Sequence, residues 1–408
     1  MRILFLNNFY YPRGGSERIL FEEMRLLRAA GHEVAVFSRG HENNQHAEYA
    51  RFFPPPLETE RFGFSLTNLS TVGELVYSRT ARRGLREVIR RFRPDVAHAH
   101  NIYGRLSLSV LDELKSAGIP VVMTLHDLKL LCPSYLMLRD GTVCERCRGK
   151  RFHRALLARC HKGSYPASAV YAFESWLNHA LGKYRFVSRF VAPSQFLRNK
   201  CIEYGWDEGR IAYIPNFVDL AASPQKKGAH GYLLYLGRLS REKGVASLLE
   251  AYQLLDSPPR LVVAGDGPES TALRRKAVDA SLPVTFTGHM SADQIRELLS
   301  GAQAMVMPSQ WYENAPLSLL EAFAAGTPVL ASRIGGIPEM IDEGTNGYLF
   351  EPGNPSSLAA GIQRFLSLPA AARSEMEMAA RAKVERHFHE RRHRELLLEL
   401  YRTVGRTP

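Results

Sequence analysis

Residues 307–329 read MPSQWYENAPLSLLEAFAAGTPV. The apolar run 304–307 ends at Pro308, as a strand buried on both faces would. A short loop then carries Glu313 and Asn314. Pro316 suits the first position of a helix, where its missing N–H costs nothing. A helix is expected over Leu317–Ala325 and another strand over Val329–Ala331. The first amides of such a helix, at Leu317 and Ser318, are unpaired and sit at the positive end of its dipole, which makes a phosphate site. Glu321 lies about a turn and a half further on. It is too far along to touch phosphate, but it suits the two hydroxyls of a ribose. Glu313 precedes the helix, on the side of any group attached to that phosphate. The bland alternative is that both acids are ordinary surface residues.

The same alternation runs outward from this stretch. Strands are expected at Gly231–Leu236, Arg260–Ala264 and Val284–Thr287. Helices are expected at Val245–Leu255, Pro268–Ala280, Ala292–Ser300 and Pro355–Leu368. The first half repeats the pattern. Its strands are Arg2–Asn7, Glu33–Ser38, Val96–Ala99, Pro120–Leu125 and Phe190–Ala192. Its helices are Ser16–Ala30, Ala167–Tyr184 and Gln195–Tyr204. This is an α/β chain of two Rossmann-like, doubly wound parallel-sheet domains, which suits a length of 408 residues. The expected domains are 1–218, with a Cys-rich insertion at about 130–165, and 219–385. The segment around 214–230 reads as the linker. Ligands of such sheets bind at the carboxyl ends of the strands, here expected to face a central cleft.

Three further segments leave strand ends. Gly237-Arg-Leu-Ser-Arg-Glu-Lys-Gly244 offers Arg238 and Lys243 as a clamp for a diphosphate. Gly14 and Gly15, in the first turn, let the backbone approach a ligand closely, and Ser16 can cap the helix that follows. This turn lacks the G-x-G-x-x-G spacing of a dinucleotide site. His126 ends the Pro120–Leu125 strand, where its ring or carbonyl reaches a sugar. Asn216 and the Gly265–Pro268 turn are lesser candidates. No two Asp residues lie two apart, so a metal-binding D-x-D is absent.

Taken together, these motifs resemble a retaining glycosyltransferase of family 4, of GT-B fold, over nearly the whole chain. The resemblance implies that Glu321 holds the ribose and Glu313 contacts the donor sugar. It implies that Arg238 and Lys243 bind the diphosphate, and that the backbone of Ala315, Pro316 and Leu317 contacts phosphates and sugar. It assigns the nucleobase to main chain near Gly288-His289-Met290, and a C-terminal helix, 386–408, that crosses back to the first domain. The donor would be a nucleotide diphosphate sugar, used without a catalytic metal. The acceptor would be a glycan, polysaccharide precursor or lipid-linked sugar. Transfer would retain configuration by a same-face route with no protein nucleophile. A nucleotide-sugar epimerase of the same fold, and a non-catalytic nucleotide-binding regulatory subunit, are the other readings.

Cys132, Cys144, Cys147 and Cys160 crowd the insertion. One C-x2-C pair and four thiols suit a structural zinc, with reduced thiols, an iron–sulfur cluster and disulfides as alternatives. The net charge of +12 is concentrated in Arg61–Lys162, which holds 19 Lys/Arg against 8 Asp/Glu. Its densest part, Arg79–Arg93, reads as a basic helix with Leu85, Val88, Ile89 and Phe92 on its apolar side. That charge suits a solvated face, an anionic membrane surface or a pyrophosphate-bearing acceptor; no nucleic-acid signature accompanies it. No apolar run reaches the length of a spanning helix. The expected location is cytoplasmic, peripheral at the inner face of the membrane.

Overall fold

The computed structural model describes residues 1–57, 66–223 and 231–405, with 66–69 described by backbone alone. Arg61, at the edge of the basic stretch, and linker residues 224–230 lie outside the described residues. The chain divides into two compact units. The first comprises Met1–Arg139, Cys144–Ile214 and Arg394–Pro408; the second comprises Asp140–Val143 and Pro215–His393.

The first unit holds a six-stranded sheet in the order Glu33–Phe37, Arg2–Leu6, Val96–Ala99, Val121–Thr124, Arg189–Ala192, Ile211–Tyr213. All its pairings are parallel. The central strands are buried almost throughout, which is why they read as unbroken apolar runs. Leu397, Tyr401 and Val404 of the last helix pack with Ile3, Phe5, Val96 and Val122 in this unit's core.

The second unit's sheet runs Val284–Gly288, Arg260–Ala264, Tyr232–Leu236, Ala304–Met307, Val329–Ser332, Gly347–Phe350, again all parallel. Alternate residues serve opposite faces. Leu234, Val262 and Met305 enter one core cluster, and Leu233, Val263 and Val306 enter the other.

Several boundaries differ from expectation. Pro316 is the residue just before the helix Leu317–Ala324, not its first position. The first helix spans Gly15–Ala29 and is preceded by Gly14, so Ser16 does not cap it; its hydroxyl donates to Glu17 Oε2 at 3.1 Å instead. The long helix lies earlier, at Tyr165–Ala180, because Ser164 caps it by accepting from Ala167 N. The C-terminal region holds two helices, Ala370–His387 and Glu390–Val404, the second falling where a helix was expected over 386–408.

Candidate functional site

In the second unit the strand order reverses between Tyr232–Leu236 and Ala304–Met307, which are sheet neighbours. Such a reversal opens a crevice beyond the carboxyl ends of the strands. The loops leaving those two strands meet there. Lys243 Nζ lies 2.7 Å from Glu313 Oε1, and Ser309 Oγ donates to the same oxygen at 2.7 Å. Glu313 is buried. Burial alone would raise its pKa, but the charge of Lys243 and hydrogen bonds from Lys243 and Ser309 hold it below the usual carboxylate range. The Lys243 ammonium also lies 5.1 Å from the centroid of the Trp311 ring. Gln310 N donates to Glu242 O at 2.8 Å, which ties the two loops by backbone.

Two glycines make this packing possible. At Gly244, with φ of +71°, a Cβ would lie 1.9 Å from Pro308 O. At Gly335, with φ of +61°, a Cβ would lie 2.3 Å from Glu313 O, and Gly336 N donates to that oxygen at 2.8 Å. The Gly335–Gly336 pair thus fixes the backbone of Glu313. The sequence reading missed it; the signal was a glycine pair just beyond the strand Val329–Ser332.

Arg238 is exposed, with its carbonyl accepting from Tyr235 Oη at 2.8 Å. Asn314, Ala315, Pro316, Leu317 and Glu321 are half-buried. Asn216 Nδ2 donates to Ala315 O at 2.9 Å, so the Pro215-Asn216 segment braces the approach to the helix.

The first unit gathers a second cluster. His126 follows the strand Val121–Thr124, and its Nε2 lies 2.7 Å from His100 Nδ1. The two rings stack with centroids 4.9 Å apart. His100 Nε2 faces Glu23 Oε2 at 3.3 Å, and Glu23 Oε2 lies 3.4 Å from His98 Nδ1. Tyr401 Oη sits 2.6 Å from His98 Nδ1, and His98 Nε2 lies 2.8 Å from Thr124 Oγ1. Burial, reinforced by His100, pushes His126 down to about 3, so its imidazole is neutral. Burial pushes the neighbouring Asp127 up to about 6. Of this cluster the sequence reading found only His126. The His98-Ala-His100 spacing places both rings on one face of a strand, and that signal was there to use.

Glu23, His98 and His100 are, among the described residues, the His/Cys/Asp/Glu group whose ligand atoms fall within 4.8 Å of one another. Tyr401 Oη already lies at His98 Nδ1, 2.6 Å away, whereas the buried Glu23 Oε2 and His100 Nε2 atoms make no hydrogen bond. No cysteine joins the group. Cys132, Cys144, Cys147 and Cys160 do not form such a group, so the zinc expectation finds no support here. None of the five cysteines is in a disulfide among the described residues. Cys132 and Cys147 are instead a hydrogen-bonded thiol pair. The bond from Cys147 pulls Cys132 down to about 6 and pushes Cys147 up.

A model of glycosyltransferase family 4 matches residues 13–222, and one of glycosyl transferases group 1 matches residues 219–383. The chain belongs to glycosyltransferase family 4. The glycogen synthase of Mycobacterium tuberculosis is 29% identical to this transferase, covering 95% of the chain and 91% of the relative. An alpha-D-kanosaminyltransferase of Streptomyces kanamyceticus is 26% identical, covering 86% and 89%. Among solved structures, sucrose-phosphate synthase from Thermosynechococcus elongatus matches with a TM-score of 0.73 at 20% identity, over 98% of both chains. Anabaena HepE in complex with UDP-glucose matches with 0.66 at 20%, over 99% of this chain and all of that one. The fold of this family 4 glycosyltransferase is therefore GT-B, with two parallel-sheet α/β domains.

Proposed function

We propose that the protein transfers a sugar from a nucleotide diphosphate donor to a glycan, polysaccharide precursor or lipid-linked acceptor, with retention and without a metal. The observation that carries this reading is the ion pair of half-buried Lys243 with buried Glu313, set one loop ahead of the helix Leu317–Ala324 at the strand-order reversal. In this reading the diphosphate meets the first amides of that helix, with Arg238 and Lys243 beside it. These cationic and amide groups take up the charge that develops on the leaving diphosphate, the task a metal performs elsewhere. Glu321, in the helix, accepts hydrogen bonds from ribose hydroxyls. Glu313 and the main chain of Asn314, Ala315 and Pro316 contact the sugar.

The proposed role of His126 is a hydrogen bond to a sugar hydroxyl, made by a ring kept neutral at working pH. Gly14 and Gly15 leave the backbone open beside the donor. The acceptor hydroxyl attacks on the face from which the diphosphate departs. A phosphate oxygen takes its proton, so no side chain need act as nucleophile. Relatives named as a glycogen synthase and a kanosaminyltransferase, and a neighbour crystallised with UDP-glucose, favour a nucleotide-sugar donor here.

The test is a thermal-shift and turnover screen against UDP-, GDP- and ADP-sugars, with and without EDTA, in the wild type and Glu321→Ala. Ligand that binds the folded state raises the melting temperature with concentration. The expected result is a rise with one base, unchanged by EDTA and weakened in the variant, with an α-linked product from an α-linked donor. Loss of turnover in EDTA would overturn the metal-independent part. Release of an isomerised donor without acceptor would install the epimerase reading instead.

A further inference from the structure

The helix Tyr165–Ala180 is amphipathic in the reverse sense of a core helix. Its buried positions are Ala167, Ser168, Ala172, Glu174, Ser175 and Asn178, all small or polar. The polar ones are satisfied inside the protein. Lys129 Nζ lies 2.8 Å from Glu174 Oε2 and donates to Ser175 Oγ at 3.1 Å. Asn178 Nδ2 donates to Glu174 Oε1 at 2.7 Å, and Ser168 Oγ accepts from His161 N at 3.0 Å. The outer face is apolar. Tyr165 is exposed, as are Phe173 at 51% and Trp176 at 53%, and Leu181 is exposed just past the helix end. The Phe173 and Trp176 rings lie flat against each other with centroids 5.9 Å apart. Leu157, on the neighbouring helix His153–Leu157, is 72% exposed. No residue on this outer face is charged. A soluble surface rarely leaves several large apolar side chains together without a partner.

The basic segment that precedes the helix supplies the partner's chemistry. Residues 146–162 contain seven Lys/Arg and no Asp/Glu. Of these, Arg148 is paired with Glu203 at 2.9 Å. Arg159 joins the segment to the apolar face: its guanidinium lies 4.1 Å from the Tyr165 ring centroid and donates to Tyr165 Oη at 3.2 Å. Aromatic side chains edged by cations match the headgroup layer of an anionic bilayer, where rings enter the acyl boundary and Lys/Arg meet phosphates. A partner protein would need a matching acidic and apolar surface.

The helix Arg79–Phe92 does not have this character, despite its arginines. Its apolar side is spent in the core. Arg82 and Arg86 are held by Glu113 at 3.2 and 2.7 Å, and Arg90 and Arg91 by Glu87 at 3.2 and 3.7 Å. Among the described residues no helix is long and apolar enough to cross a membrane, so the contact would be with one leaflet.

We infer that the outer face of Tyr165–Ala180, together with the basic segment 146–162, docks this protein on an anionic lipid bilayer. The experiment is co-sedimentation of the full chain with phosphatidylcholine vesicles and with vesicles that also contain phosphatidylglycerol. The wild type binds the anionic vesicles, and binding weakens as salt rises. The double variant Phe173→Ser/Trp176→Ser lowers the partition coefficient about tenfold or more, through lost apolar contact. Arg159→Gln/Lys162→Gln lowers it by a similar factor, on the order of fivefold per charge, on anionic vesicles only. Brominated lipid quenches wild-type fluorescence, and Trp176→Phe removes that quenching. A retained nucleotide-sugar thermal shift in the variants shows that they fold. Equal binding by wild type and Phe173→Ser/Trp176→Ser would overturn the proposal. So would a wild-type dimer, seen by light scattering, that this variant breaks while vesicle binding is absent; the face would then be an interface between copies of the chain.

Discussion

At the scale of single residues, Glu313 and Lys243 set each other's state. A carboxylate buried this fully persists because Lys243 and Ser309 both reach the same oxygen. Removing the cation alone is therefore worse than removing the anion alone. Lys243→Met should destabilise the protein by about 2 kcal/mol, below the usual cost of breaking a buried pair because the Lys243 side chain keeps 25% exposure. Glu313→Gln should cost less stability, since a neutral amide leaves only a partly exposed lysine unpaired. If both residues serve the proposed donor site, each variant also loses transfer by about 100-fold. Urea denaturation alongside donor turnover separates the two effects. Equal stability losses would show that the carboxylate is not the strained partner. Gly335→Ala is the control that leaves both charges in place. Its Cβ would strike Glu313 O and demand a left-handed φ. A loss of about 2 kcal/mol is expected from the strain, with turnover falling as Glu313 shifts. Unchanged turnover would show that Glu313 tolerates displacement.

At the scale of elements, the histidine cluster is a chain whose proton positions are decided at its ends. If Tyr401 donates to His98 Nδ1, the proton of His98 lies on Nε2, facing Thr124. If Glu23 stays ionised, the His100 proton lies on Nε2, facing Glu23, and His126 Nε2–H then donates to His100 Nδ1. The last helix, Glu390–Val404, thereby acts on the strand Val96–Ala99 through one hydroxyl. Tyr401→Phe should cost about 1–3 kcal/mol, because a buried imidazole nitrogen loses its donor while the packing volume is nearly kept. Chemical denaturation measures it, and a change below a few tenths of a kcal/mol would mean that water replaces the hydroxyl. Little of this was legible in sequence. Strands such as Arg2–Leu6 announce themselves as apolar runs, and the loops after them can be placed by counting. Glu23 could not be found that way, since it occupies a helix position that periodicity assigns to the core. The strand Ile211–Tyr213, only three residues long, was missed ahead of the linker, and the strand Gly347–Phe350 was missed beside its glycine-rich turn. For the second unit's site the sequence placed the motif residues along the chain. The ion pair between Lys243 and Glu313 needed the fold, because 70 residues separate the partners.

At the scale of the whole molecule, the buried titrating groups couple stability to pH, and the sign follows from three of them. His126 is depressed to about 3 and His161 to about 4, both by burial. Each is neutral in the folded state at a pH where the unfolded chain would already carry a proton. Their contributions are present above about 6.5, the ordinary histidine pKa, and are lost as pH falls towards those depressed values. Asp127 acts the other way. Raised by burial to about 6, it holds a proton in the folded state that the unfolded chain releases above its ordinary value. Between pH 4 and 6 two groups therefore favour unfolding on acidification and one opposes it. These three groups by themselves give a slope of about 1.4 kcal/mol lost per pH unit as pH falls, and His179 and Glu313, both lowered, act in the same direction. Urea midpoints taken across that range should drop on acidification, at constant salt so that the charge of +12 is screened alike. Asp127→Asn keeps the hydrogen-bonding shape and removes the opposing titration, so it should steepen the slope towards about twice that value. His126→Asn should flatten it. A wild-type slope of reversed sign would mean that His126 and His161 are already protonated in the folded protein and that Asp127 alone remains, and the neutral ring required of His126 as a sugar ligand would then have to be abandoned.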